Sequence, residues 1–385
     1  IETALNGSKI ATPCLILDRE QIAKNYRNFC QKMDEIDIFY AVKANPHPDI
    51  LSLLAAEGAY FDCASFQEIT LVLAAGGRPS NIFFGSTLKK VTDIADAYKV
   101  GVRYFTFDAR EELQKISNHA PGSSVCCRIL ANDFGTGAQW PLSRKFGCDE
   151  NMAVDLMSEA GELGLIPSGI SFHVGSQQTE PTAWQAPIAQ LSRIFRRLAD
   201  LGIALDTINI GGGFPTTFGN NAIPDISTYA NAIKAALNVY FGDLKPRVIA
   251  EPGRALVGNA GIIVSEVVLV AQKSSNDAER WVYLDVGRFH GLAETEGEAI
   301  KYKIEFSRKN KAKKVKYIIA GPSCDSHDIL YQKKLYTLPK NIKSGDKLRI
   351  FSAGSYIISY QSEFNGIKKI KEIFLKLFNL FFLKN

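Results

Sequence analysis

The chain has 385 residues, of which 46% are hydrophobic and 22% charged, and a net charge of +5. This is an ordinary soluble globular composition, too long for one typical core, so two domains are expected. Seven cysteines, odd in number and irregular in spacing, exclude a disulfide framework or a zinc site, and five histidines are too few for a metal cluster.

No secretory leader or spanning segment shows at the N-terminus, so a reducing cytoplasm is the expected compartment. Eight short β-rich runs then follow one another: Phe39–Lys43, Tyr60–Ala64, Ile82–Gly85, Tyr104–Phe107, Val125–Leu130, Gly169–Val174, Thr207–Ile210 and Val248–Ala250. Amphipathic segments lie between most of them. In Pro181 to Gly202, for example, Trp184, Ile188, Leu191, Phe195 and Leu198 fall at helical spacing. Strands alternating with helices predict a parallel (β/α)8 TIM-type barrel over residues 20–255. The polar gap from Ala131 to Gly147 reads as a mobile loop near the site.

After residue 256 the pattern changes to β-rich runs with little helical periodicity: Gly261–Ala271, Trp281–Val286, Val315–Ala320 and Lys347–Phe351. Residues 256–385, with 1–19 added through the run Pro13–Asp18, are therefore predicted to form a second, mainly β-barrel domain. Within it, the lysine-rich stretch Lys301 to Lys316 would attract anions, although a solvated strand edge is the plainer reading. Without an aromatic platform or recognition helix, no specific nucleic-acid binding is expected. At the C-terminus, Ile367, Ile370, Phe374, Leu377 and Phe381 form an apolar stripe of helical period among lysines. It predicts a terminal helix packed on the protein; contact of that helix with a membrane surface is the weaker reading.

The residues able to do chemistry cluster just after the predicted barrel strands, where such barrels build their sites. Lys43 ends an apolar strand, where lost hydration would favour the neutral amine that attacks a carbonyl. An ordinary surface lysine is the alternative. Gly211-Gly212-Gly213 would let backbone amides approach a phosphate, or make a plain tight turn. Glu251 and Arg254, in the run Glu251-Pro252-Gly253-Arg254, offer a carboxylate for a pyridine nitrogen and a fork for phosphate, or a simple ion pair. His173 could lie on an aromatic ring and Ser176 hold a phosphate oxygen; a structural histidine is the alternative. Cys324, in Gly321-Pro322-Ser323-Cys324-Asp325-Ser326, is a proton donor beside a carboxylate or a buried structural thiol.

Taken together, YAVKAN, FDCAS, HVGSQ, GGGFP, EPGR, YLDVGRFHGLAET, GPSCDS and the late SAGSY and FNG resemble the alanine-racemase-fold, fold type III, decarboxylases of basic amino acids. These enzymes depend on pyridoxal 5'-phosphate (PLP), and the likeness, from about residue 10 to Gly366, is nearest to bacterial ornithine or lysine/ornithine decarboxylases. It implies that Lys43 is the Schiff-base lysine, that Ala41 and His173 flank the ring, and that Asp62 and Arg128 belong to the surrounding hydrogen-bond network. Glu251 would face the pyridine nitrogen. Ser176, Gly213, Arg254 and Tyr356 would hold the phosphate, with Pro252 and Gly253 in the same cofactor-binding turn. A homodimer would share its sites, Cys324 giving a proton and Asp325 binding the distal amine from the partner, with Glu294 as a second carboxylate near that amine.

The implied reaction is decarboxylation of L-ornithine to putrescine, and also of L-lysine to cadaverine, in polyamine biosynthesis. Diaminopimelate decarboxylation is the enzymatic alternative, and Asp325 in place of a glutamate argues against it. A non-catalytic PLP-binding regulator is the other. The chain departs from the pattern at Phe351–Tyr356, at Glu294-Thr295-Glu296-Gly297-Glu298, and after Gly366.

Overall fold

The computed structural model describes residues 11–131, 137–140, 144–219, 222–242, 244–307 and 311–375. Its described parts fall into two compact units. One is made of Asn25–Pro215 and Ile223–Gly253, the other of Ile1–Lys24, Thr216–Ala222 and Arg254–Asn385. In chain order the strands are β1 (Cys14–Asp18), β2 (Ile36–Ala41), β3 (Tyr60–Cys63), β4 (Ile82–Phe84), β5 (Tyr104–Phe107), β6 (Ser124–Arg128), β7 (Ala138–Trp140), β8 (Ile166–Ser171) and β9 (Ser176–Gln178). They continue as β10 (Thr207–Asn209), β11 (Arg247–Ala250), β12 (Gly261–Ala271), β13 (Arg280–Leu284), β14 (Ile304–Phe306), β15 (Lys314–Ala320), β16 (Ile329–Pro339), β17 (Lys347–Phe351) and β18 (Lys371–Leu375).

The first unit is the parallel barrel. Strands β2, β3, β4, β5, β6, β8, β10 and β11 pair in that order, and β11 closes back on β2 with Val248 opposite Ile36. All eight predicted runs are present, with ends moved by up to three residues. Phe39, Phe83, Cys126 and Ile249 from four strands make a buried cluster inside it, packed against Tyr60 and Tyr104. The helices between strands start on side-chain caps where the sequence supplies them. Ser65 accepts from the Glu68 N–H, and Asp149 from the N–H groups of Asn151 and Met152. The segment from Pro181 begins as a 3-10 turn, Pro181–Trp184, and continues as a helix over Gln185–Asp200, with Ile188, Leu191, Phe195 and Leu198 buried as their spacing requires. Of the loop expected between Ala131 and Gly147, residues 132–136 and 141–143 lie outside the described residues; β7, within it, pairs antiparallel with β9.

The second unit is built on an eight-stranded sheet. Strand β12 organises it: its first half lies between β1 and β17, and after an irregularity at Val267–Leu269 its second half pairs with β13. Strands β13, β15 and β16 continue one side, and β14 flanks β17. The expected C-terminal helix is corrected here. Its start is strand β18, parallel to β1 with Cys14 opposite Lys371 and Asp18 opposite Leu375. The reason is tertiary. Strand β1 offers an unpaired edge, and Ile373 and Leu375, two residues apart, pack on the cluster of Cys14, Ile16 and Val264. Residues 376–385, with Leu377 and Phe381, lie outside the described residues. No described helix is long and apolar enough to cross a membrane.

Candidate active site

Strand β2 is buried through Ala41, and the chain then turns in a single 3-10 turn, Val42–Ala44. The turn is held by the Ala41 N–H, which donates to the Pro252 carbonyl at 3.1 Å. Gly253 is packed beneath it: a Cβ there would come within 2.7 Å of the Ala44 Cβ, so only glycine permits the approach. Lys43 therefore stands beyond the strand, with 46% of its side chain exposed. The buried, desolvated lysine expected from the sequence is corrected to a half-open one, whose Nζ lies 3.0 Å from the Asp62 carboxylate at the end of β3.

Around this pair the barrel mouth gathers Arg128, His173 and Glu251. Glu251 follows β11 and accepts a 2.6 Å hydrogen bond from the Asn209 side chain. Burial first, then the Asp62 charge, pushes its carboxyl up to about 7, against the lowering influence of Lys43, Asn209 and Arg128. Burial likewise holds the Arg128 guanidinium below its ordinary value, and that side chain lies over the Phe146 ring at 5.2 Å. His173 Nδ1 accepts from the Gly175 N–H at 2.9 Å, while burial and the cations Arg128 and Lys43 hold the ring well below the usual histidine range. It is a neutral imidazole with its proton on Nε2. Gly211 and Gly213 have φ of +65° and +102°, and a Cβ on Gly213 would lie 2.5 Å from the Gly175 carbonyl oxygen. The glycine turn and the His173–Ser176 turn thus back directly onto each other, which places Gly213 beside the segment carrying Ser176.

The second unit holds a cluster of its own. Arg254, the residue after Gly253, is buried and makes a bidentate pair with Glu294 at 2.5 and 2.7 Å. Its guanidinium lies 4.6 Å from the Tyr356 ring and 5.6 Å from that of Phe218. Glu294, expected as a ligand for a substrate amine, is here the counter-ion of Arg254. A carboxylate matched to a planar guanidinium in a dry site has both oxygens engaged. The acidic run after it is structural: Glu296 pairs with Arg288, and Glu298 accepts from the backbone N–H groups of Gln332, Lys333 and Lys334. Cys324 and Asp325 lie on an exposed loop apart from this cluster. The Cys324 N–H donates to Asn365 Oδ1 at 2.9 Å, and Asp325 accepts from the His327 N–H at 2.8 Å. The hydrogen bonds from His327 hold the Asp325 carboxyl below the usual carboxylate range. The loop's base is Asp328, which is buried and accepts from the N–H groups of Ser323 and Arg288.

Sequence reasoning missed Asn209, Asp328 and Phe218. Asn209 carried a signal, a polar side chain closing a buried strand just before three glycines. Asp328 joins Ser323 of its own loop to Arg288, 40 residues away, and Phe218 meets Arg254 only through the fold.

These residues fit a pyridoxal phosphate group. A lysine paired to a carboxylate, a neutral imidazole, an acid poised near neutrality and a glycine turn with backbone amides all converge at the carboxyl ends of one barrel's strands. The class so defined is the barrel-type PLP enzyme.

Residues 19–258 match the family model for the pyridoxal binding domain of pyridoxal-dependent decarboxylases. The lysine/ornithine decarboxylase of Selenomonas ruminantium is 32% identical over 361 residues, covering 94% of this chain and 88% of that one. Its crystal structure with PLP and cadaverine superposes with a TM-score of 0.86 at 30% identity, over 95% of this chain and 91% of that one. The Vibrio vulnificus lysine/ornithine decarboxylase complexed with cadaverine gives 0.86 at 28% identity, over 96% of both chains. The chain belongs to the pyridoxal-dependent decarboxylase family and is a PLP-dependent decarboxylase of basic amino acids.

Proposed function

We propose that the enzyme decarboxylates L-ornithine to putrescine and accepts L-lysine, giving cadaverine, in polyamine synthesis. The observation that carries this is Asp325. It is an ionised carboxylate presented next to the Cys324 thiol on an exposed loop, with its charge kept by His327. An anion there suits a substrate ending in an ammonium and repels the distal carboxylate of diaminopimelate. One methylene separates ornithine from lysine, worth about 1–3 kcal/mol in a pocket, so use of both is expected. The named activities of the Selenomonas and Vibrio relatives support the same reading.

When bound, PLP supplies the electron sink for the bond between Cα and the substrate carboxylate. The chain's own residues do the rest. Lys43 would hold the cofactor, with Asp62 as its ion partner. His173, neutral and buried, provides an uncharged face for the ring. Glu251 would face the ring nitrogen. Gly213, Ser176, Arg254 and Tyr356 hold the phosphate, with Glu294 keeping the Arg254 fork in one orientation. Cys324 delivers the proton that replaces the lost carboxylate on Cα, and Asp325 fixes the distal ammonium. The exposure of both residues is consistent with their serving the barrel of a two-fold partner, and we propose a homodimer with shared sites.

The test is one competition assay. Purified protein with PLP receives equal L-ornithine, L-lysine, L-arginine and meso-diaminopimelate, and mass spectrometry identifies the products. Putrescine, with less cadaverine, is expected. Lysine formed from diaminopimelate would replace the proposal with the rival activity.

A further inference from the structure

Asn209 closes strand β10, is fully buried, and has both ends of its amide engaged. Its Oδ1 accepts from the Gly211 N–H at 2.9 Å, and its Nδ2 donates to Glu251 Oε1 at 2.6 Å. The first bond dictates the second: with the oxygen held by a backbone N–H, the NH2 group must face the carboxylate. Glu251 Oε1 is therefore an acceptor, and any proton on this acid sits on Oε2.

The groups facing Glu251 come from several strands. Asp62 follows from β3 and opposes its charge, and the Cys126 thiol faces it from β6; Lys43, beyond β2, and Arg128, ending β6, favour the charge. His173 comes close at Gly212, where a Cβ would lie 2.6 Å from the Glu251 carbonyl oxygen and 3.3 Å from His173 Nε2. Asn209 makes a direct hydrogen bond to the Glu251 carboxylate.

We infer that Asn209 is a positioning residue: its bond to Oε1 favours the charged form of Glu251, turns Oε2 toward the cofactor ring, and through Gly211 couples that carboxylate to the glycine turn. The second clause rests on the proposed place of Glu251 opposite the ring nitrogen; the first does not.

The test separates these. In Asn209→Ser the hydroxyl still reaches the Gly211 N–H, as in a serine turn, but falls short of Glu251; in Asn209→Ala both bonds are lost. The full-length protein, labelled at the glutamate carboxyl carbon, is titrated by NMR before PLP is added, with Glu251→Gln identifying the Glu251 signal. Loss of a donor to the charged form raises the midpoint by about one unit or more in both variants. PLP is then added, and its affinity and the pH profile of kcat/KM are measured; both variants bind it at least about tenfold more weakly near pH 7.

Wild-type midpoint and profile in Asn209→Ser would overturn the inference and leave Asn209 a turn residue. A raised midpoint with unchanged PLP affinity would uphold the control of Glu251 and refute its place at the ring. Should the single variants not fold, Asn209→Ser is combined with Glu251→Gln. Recovery of folding supports the inference, because the charge needing the donor is gone, and continued failure overturns it.

Discussion

At the scale of single residues, the site depends on how each charge is matched. Glu294 and Arg254 are both buried and bonded in bidentate geometry, so removing one leaves the other charged and unpaired. Glu294→Gln should cost about 3–5 kcal/mol of stability in urea unfolding, and weaken PLP binding through Arg254. A variant of normal stability whose only defect is a raised KM would return Glu294 to the substrate amine. Lys43→Ala should abolish turnover and the visible absorbance of lysine-linked PLP while leaving the fold intact, since the side chain is half exposed; retained turnover would refute its role.

Glu251 has a pH signature with a definite sign. Its carboxyl is raised in the folded chain, so between about pH 4.5 and 7 the folded state binds the extra proton. Its contribution to stability therefore declines as pH rises through that window. Because buried His173 has the opposite slope below its ordinary value, the quantity to measure is the difference from Glu251→Gln. Without PLP, the Tm advantage of that variant should grow from pH 5 to pH 7 and level off above. A flat difference would mean that Glu251 is not raised.

At the scale of elements, β18 shows period competing with environment. Spacing alone favours a helix from Ile367, and several lysines would decorate its polar face. The open edge of β1 offers a row of backbone partners, and the cluster at Cys14, Ile16 and Val264 accepts Ile373 and Leu375. Together these outweigh a modest helical preference. Ile373→Ala should cost about 1–2 kcal/mol, and removal of residues after Ile370 should lower Tm further. Neither change should alter sedimentation with anionic liposomes; a loss of sedimentation would restore a membrane role for this segment.

At the scale of the whole molecule, the proposal places Lys43 and Cys324 of one functional site on different subunits. Mixing Lys43→Ala and Cys324→Ala proteins should then restore about a quarter of wild-type activity, since half the re-formed dimers carry one intact site out of two. Sedimentation velocity would show the dimer directly. No recovery from verified mixed dimers would mean that each site uses its own Cys324.

The sequence alone determined the barrel, because eight apolar runs of strand length alternate with helical periods, and that local patterning survives into the fold. It also located the reactive groups, since a parallel barrel delivers whatever follows each strand to one end. Lys43, His173 and Glu251 were legible for that reason, and Asp62 and Arg128 through the family resemblance. Only tertiary structure decided what each of them touches. Half-burial of Lys43, capture of Glu294 by Arg254, the Asn209 bond to Glu251 and the strand at Lys371–Leu375 all depend on partners distant in sequence, as do the ionisation states of buried groups. Local spacing carries no record of those partners, because desolvation and Coulomb energy are set by distance in space.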